Sequence, residues 1–345
     1  MTPGRHRELS SARQRSRADH KAASVRAGAM RALTLEGRRL ALCSDYPIPR
    51  PPRGESLVRV RMAGICGTDL ELARGYMGFS GVPGHEFVGE VERSAQRGLV
   101  GARVVGEINA GCARCTRCRS GLARHCPSRT VLGIVKRDGA FADYLVLPDE
   151  NLLVVPDTMP DEVAVFAEPV AAALEIFENT SIDEHERVAV LGDGRLGAIV
   201  ALTLRARGYE TVIGGHHPEK LAALRSVGLK AKLESELVSG FDVVAECTGN
   251  SAGVSRALEL VRPRGKVILK STAARSTKLN LVPAVINEIA LIGSRCGRLK
   301  PALEMLERGE IDPRPLVCTI VPFERAMAAI SAARQPLNFK VLLKM

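Results

Sequence analysis

Cys112, Cys115 and Cys118 are spaced three apart, and Cys126 follows, so four thiols fall within fifteen consecutive positions. Thiolates at that spacing on a tight turn converge on one tetrahedral metal, and the pattern predicts a closed structural zinc site. Disulfides are the competing arrangement, but bridges crowded into so short a stretch would be strained, and no secretory signal precedes them. A metal with four protein ligands has no open position for substrate. The lobe is therefore expected to pin the fold, and the chemistry must lie elsewhere.

At 345 residues and 46% hydrophobic content the chain has material for two domains, each with a core. The longest apolar stretch, around Val163 to Phe177, is broken by Glu168, Pro169 and Glu175, which argues against a bilayer span and a membrane partner. Residues 1–29 hold seven Lys/Arg against two Asp/Glu, so nearly half of the net charge of +11 sits there. Rich in Arg and Ser and without apolar periodicity, this segment is expected to be a disordered basic tail; a transit peptide, or a true start at Met30, fits the same composition. It has no aromatic interleaving and no recognition motif, so a nucleic-acid partner is not expected. Five cysteines lie outside the lobe (Cys43, Cys66, Cys247, Cys296 and Cys318), and thiolate ligands need a reducing compartment, which points to the cytoplasm.

From Met30 to about residue 155 the pattern is short alternating strands broken by Gly and Pro, such as Ser56 to Met62 and Phe87 to Glu92, and predicts a β-rich domain. From 156 to 296, buried strands alternate with helical stretches. The strands read as Arg187–Leu191, Thr211–Ile213, Phe241–Ala245, Lys266–Leu269 and Glu288–Ile292, the signature of an α/β domain with a doubly wound parallel sheet. Residues 297–345 read as two more helix and strand pairs and are expected to return to the first domain.

Directly after the first of those strands comes Gly192-Asp193-Gly194-Arg195-Leu196-Gly197, opening a helix. The first glycine allows the tight turn, the second lets backbone approach a pyrophosphate, and the third lets helix pack on strand. A strand before, a helix after and further alternating units make this a dinucleotide site rather than a flexible turn. About twenty residues on, where NAD-selective sites place an acid for the adenosine ribose, the chain has Gly214-Gly215-His216-His217. Without that acid a 2′-phosphate meets no repulsion, and His216, His217 or Lys220 would attract it. Between NADP and NAD, NADP is therefore expected.

Cys66 and His85 each leave a β-rich segment at a glycine turn, and Glu168 sits where an apolar helix hardly tolerates an unpaired carboxylate. One thiolate, one imidazole and one carboxylate leave a fourth position open, as a catalytic zinc requires. Together with the cysteine lobe and the glycine fingerprint, Gly64-Ile-Cys66-Gly-Thr68-Asp69 and Gly84-His85-Glu86 resemble the zinc-dependent medium-chain alcohol dehydrogenases, including their sorbitol, threonine and glucose dehydrogenase branches. The resemblance runs from about Met30 to Met345. It implies a GroES-like catalytic domain with a Rossmann domain inserted in its middle, and a cleft between them. It also implies that Cys66, His85 and a carboxylate, Glu168 or Glu86, hold a catalytic zinc, that Thr68 relays the substrate proton, and that Asp69 orients His85. Thr248, Lys270, Ser271 and Thr272 would line the nicotinamide half of the cofactor, and Lys340 would lie near its phosphates.

At one position the chain departs from that pattern. Five residues after the ligand cysteine, many members carry a histidine that hands the proton to solvent; here it is Glu71. The expected activity is hydride transfer between an alcohol or polyol and NAD(P), by a homo-oligomer (dimer or tetramer) acting on a small-molecule alcohol. The rivals are a threonine-type amino-alcohol dehydrogenase and a nucleotide-binding zinc protein without turnover.

Overall fold

The computed structural model describes residues 28–272 and 278–345; the basic tail lies almost wholly outside them. Among the described residues no helix is long and apolar enough to cross a membrane. Strands from the first half of the chain and from its C-terminal end form a seven-stranded mixed sheet. Its spine runs in the order Leu152–Val154, Arg103–Gly106, Glu86–Arg93, Glu55–Gly64, Lys340–Lys344, Val317–Pro322, with Tyr144–Pro148 also paired to Glu55–Gly64. Val58, Val60, Phe87, Val91, Leu145 and Leu147 fill the core on one side of these strands.

Two of the strands come from the far C-terminus. Lys340–Lys344 is antiparallel to Glu55–Gly64 and parallel to Val317–Pro322. A segment nearly three hundred residues downstream thus lies directly beside the strand that leads into Cys66.

The second sheet has six parallel strands in the order Lys230–Leu233, Thr211–Gly215, Val188–Leu191, Phe241–Glu246, Val261–Leu269, Ala290–Gly293. The chain starts in the middle, runs to one edge, then returns and runs to the other, which puts a topological switch point between Val188–Leu191 and Phe241–Glu246. Periodicity located five of these strands and missed Lys230–Leu233. That strand is at an edge, only Ala231 of it is buried, and its two lysines hide any apolar run.

Helix Ala167–Asn179 packs on helices Arg195–Ala206 and Leu299–Glu307 and also touches strand Glu86–Arg93. Its first turn, which contains Glu168, therefore faces the metal-competent residues. A cleft of about 1190 Å³ opens between the two sheets, with walls from both.

Candidate active site

Cys66 stands at the N-cap of the short helix Gly67–Leu72, and Asp69 on that helix ties two loops together. Asp69 Oδ2 accepts the Cys66 N–H at 2.8 Å, and its Oδ1 accepts the Gly84 N–H at 3.2 Å. The same Oδ1 lies 3.2 Å from His85 Nδ1. That approach is off the line of a straight hydrogen bond, and Nδ1 has no aligned acceptor, so the carboxylate holds the ring chiefly through charge. Gly84 has φ +98°, and a Cβ there would lie 2.5 Å from Phe141 Cδ1, so only glycine lets the His85 loop come this close. Burial works against the imidazolium, but facing Asp69 and Cys66 outweigh it and raise the His85 pKa well above its usual value. The surroundings of His85 favour positive charge.

The donor atoms of Cys66, His85 and Glu86 all lie within 4.8 Å of one another. Glu86, however, is ion-paired with Lys340 at 2.5 Å, and both side chains are almost fully buried. Lys340 also sits 5.5 Å from the centroid of the Phe166 ring. This corrects the placement of Lys340 near the cofactor phosphates: its ammonium is spent on a carboxylate in the metal cluster. Glu168 lines the cleft beside this group and has no hydrogen bond or ion pair among the described residues. Burial pushes its carboxyl up, and Glu86 adds to this against the charges of His85, Lys340 and Lys270. Thr68 also faces the cleft, with Oγ1 3.9 Å from Cys66 Sγ, and Glu71 on the same helix pairs with Arg74 at the rim.

In the lobe, Cys115 Sγ lies 3.6 Å from Cys118 Sγ and 3.8 Å from Cys126 Sγ, and all four sulfurs fall within 4.8 Å of one another. Tetrahedral zinc with Zn–S near 2.3 Å requires sulfurs about 3.8 Å apart, whereas a disulfide needs about 2.05 Å. The four thiols fit the metal. Arg124 fastens the lobe to the second half of the chain, donating to Glu175 and to the carbonyl of Cys296.

At the nucleotide end, Gly192 has φ +110°, and a Cβ on Gly197 would lie 1.8 Å from the Gly192 carbonyl oxygen. Gly194 faces open space at the N-cap of helix Arg195–Ala206, with Arg195 and Leu196 lining the cleft beside it. This is a cradle a phosphate fits and a side chain would fill. Glu246 Oε1 accepts the N–H groups of Thr248 and Gly249 at 2.6 and 3.2 Å, fixing the turn that brings Thr248 to the cleft.

The ribose corner differs from the sequence expectation. Asp193, from inside the glycine fingerprint, folds under the end of strand Thr211–Gly215. Its Oδ2 accepts the N–H groups of His216 at 2.9 Å and His217 at 2.8 Å and lies 3.0 Å from His217 Nδ1. The site that lacks an acid in sequence therefore has one in space. A Cβ on Gly215 would lie 2.4 Å from that carboxylate, so Gly215 leaves the gap that Asp193 fills. His216 is exposed and turns to Glu234 at 3.1 Å. Lys220 is buried, with its ammonium 4.9 Å from the Phe339 ring centroid, and does not reach out to a phosphate. The premise for preferring NADP, an uncharged ribose corner, does not hold. The signal in the sequence was the pairing of Gly215 with an acid inside the fingerprint.

A β-rich unit facing a doubly wound nucleotide unit across a cleft that holds a thiolate, an imidazole and carboxylates defines a nicotinamide-dependent metallodehydrogenase. The alcohol dehydrogenase GroES-like domain matches residues 52–157, and the zinc-binding dehydrogenase family matches residues 196–308. D-altritol 5-dehydrogenase of Agrobacterium fabrum strain C58 is 31% identical over 306 residues, which are 83% of this chain and 90% of that protein. A zinc-binding dehydrogenase of Sinorhizobium meliloti 1021 bound to NADP superposes with a TM-score of 0.83 at 26% identity, covering 92% of this chain and 99% of that one. The alcohol dehydrogenase RspB of Escherichia coli CFT073, complexed with NADH, also gives 0.83, at 25% identity and with coverage of 92% and 100%. The chain belongs to the zinc-dependent medium-chain alcohol dehydrogenase family. It is an NAD(P)-dependent zinc oxidoreductase of alcohols or polyols.

Proposed function

We propose that Cys66, His85 and Glu168 hold the catalytic zinc, that Cys112, Cys115, Cys118 and Cys126 hold a structural one, and that the substrate is a polyol-type alcohol bound beside the first of these sites in the cleft between the two sheets. The observation that carries this reading is Glu168: with Glu86 neutralised by Lys340, it is the carboxylate at the cluster without an ion-pair partner among the described residues. Glu86 then keeps Lys340 in place. Zinc at this donor set would supply the Lewis acid that acidifies a substrate hydroxyl, and NAD(P) the hydride acceptor. Asp69 orients His85 and the Cys66 loop, Thr68 Oγ accepts the substrate proton, and Glu71, one turn further along the helix, takes it toward solvent. The catalytic unit would comprise residues 30–155 and 297–345 and the nucleotide unit 156–296, in a cytoplasmic protein. A panel of alcohols, polyols and amino alcohols, each offered with NAD and with NADP and followed by reduced-nicotinamide absorbance, tests the activity. Absence of turnover with every member in zinc-replete protein would refute it.

The cofactor preference is proposed to be NAD. Asp193 already occupies the N–H groups of His216 and His217 that would receive a 2′-phosphate, and its charge repels one. Asp193→Asn keeps an acceptor for those N–H groups but removes the charge. It is expected to shift the ratio of kcat/KM for NAD over NADP toward NADP by about tenfold or more, as 1–3 kcal/mol of lost repulsion implies. An unchanged ratio would show that Asp193 only braces the turn.

A homodimer is proposed through the free edge of the parallel sheet. Among the described residues strand Ala290–Gly293 pairs on one side only, and the adjoining helix Val282–Ile286 leaves Val285 76% and Ile286 73% exposed. An unpaired edge beside an apolar face suits a second copy of the same chain related by a two-fold axis. Val285→Asp combined with Ile286→Asp should shift the protein toward monomer in sedimentation experiments. An unchanged sedimentation coefficient would place any interface elsewhere.

A further inference from the structure

We infer that Arg129 and Arg295 form an anion subsite at the substrate end of the cleft, so that the alcohol oxidised carries a carboxylate or a phosphate; this rests on the dehydrogenase reading of the cleft. The two arginines come from opposite halves of the molecule. Arg129 follows the last lobe cysteine and precedes strand Thr130–Leu132, whereas Arg295 leaves the C-terminal end of strand Ala290–Gly293. Both brace on the same turn: Arg295 Nη2 donates to the Arg124 carbonyl at 3.0 Å, and Arg129 Nη1 to the Cys126 carbonyl at 3.3 Å. Both line the cleft that contains Cys66, His85 and Glu168.

Their charges are unanswered. Arg124 on the same turn is neutralised by Glu175, Arg298 by Glu178, and Lys340 by Glu86. Among the described residues, neither Arg129 nor Arg295 has a carboxylate within 4.0 Å. Arg129 Nε is buried without an acceptor. A buried guanidinium N–H left unpaired is costly, and an acceptor brought by a ligand removes that cost. Lys270 holds the arrangement in place. Its buried ammonium donates to the Ala172 carbonyl at 2.5 Å, Ser294 Oγ at 2.9 Å and the Arg295 carbonyl at 3.2 Å, which locks the loop that presents Arg295 and adds positive charge to the same wall.

The position separates this site from the cofactor's own phosphates. The pyrophosphate cradle is at Gly194 and the ribose corner at the end of Thr211–Gly215, whereas Arg295 follows the strand at the opposite edge of the sheet. Two guanidiniums that each spend one arm on a backbone carbonyl and have no carboxylate partner among the described residues suit a carboxylate or a phosphate better than a neutral hydroxyl.

The test uses zinc-replete protein saturated with NADH, so that the pyrophosphate cradle is filled. Calorimetric titration with inorganic phosphate, and separately with acetate, should show saturable binding of at least one probe, weakened tenfold or more in both Arg129→Gln and Arg295→Gln. Arg295 is exposed, so its variant reports even if Arg129→Gln disturbs the lobe. In turnover, D-glucitol, D-gluconate, D-glucitol 6-phosphate and L-threonine are compared. The variants should raise KM for the anionic substrate used while changing kcat little. Probes that do not bind, binding equal in wild type and both variants, or a neutral polyol oxidised as efficiently as its anionic counterparts with KM unchanged by the variants would each overturn the subsite. If no alcohol at all is oxidised, the dehydrogenase reading fails, and the phosphate and acetate titrations still decide the subsite.

Discussion

Cys66→Ser is expected to abolish turnover and leave the fold standing. A serine hydroxyl stays protonated where a cysteine thiol becomes a thiolate ligand, so the catalytic metal loses its anionic sulfur donor. Loss of that metal removes several kcal/mol of transition-state stabilisation, and kcat/KM should fall by about 10³-fold or more. Stability should hardly change, because Cys66 occupies an N-cap, where serine is the better residue, and Cys66 itself is only half buried. Elemental analysis should give two zinc ions per chain in wild type and one in the variant, with melting temperatures within a degree or two. Retained activity would remove Cys66 from the metal site, and one zinc or none in chelator-free wild type would end the two-site description.

Cys115→Ser should do the opposite. Cys115 Sγ lies within 3.8 Å of two other lobe sulfurs, so its loss opens the tetrahedron. Structural zinc contributes about 10 kcal/mol or more to folding its surroundings, and losing one ligand of four forfeits a good part of that. The melting temperature should drop by about 5 °C or more, with new proteolytic sites within residues 112–126. The damage should spread to the cleft, because the turn at Arg124 ties the lobe to Glu175 and the Cys296 carbonyl. Turnover should fall in step with the loss of lobe structure, while the catalytic zinc is retained. An unchanged melting temperature would mean that the lobe is held by packing rather than by metal.

These two variants probe the features most legible in the sequence. The lobe cysteines and the glycine fingerprint are local patterns: each ligand or glycine lies a few residues from the next, so spacing alone implies their convergence. The central parallel strands were legible for a similar reason, as apolar runs buried on both faces, and edge strand Ala290–Gly293 was legible from its apolar run although the fold leaves it largely exposed. Lys230–Leu233 escaped because Lys230 and Lys232 interrupt any such run.

Within the site, the sequence singled out Cys66, His85, Glu86 and Glu168, and the fold does bring them to one cleft. It was silent on which carboxylate is free, since that depends on Lys340 arriving from 254 positions away to neutralise Glu86. It found no acid at the end of Thr211–Gly215, because the expectation follows position along the chain whereas a carboxylate acts through space. Asp193 reaches the end of Thr211–Gly215 only because Gly215 has no side chain to block it. Arg129 and Arg295 carried no motif at all. The sequence by itself determined which chemical groups the chain has and which local turns present them, because metal-ligand spacing and the phosphate cradle are short-range properties. Only the tertiary structure decided which charges are cancelled and which face the cleft, because pairing between distant segments and removal from water set the energy of a charge, and neither can be read along the chain.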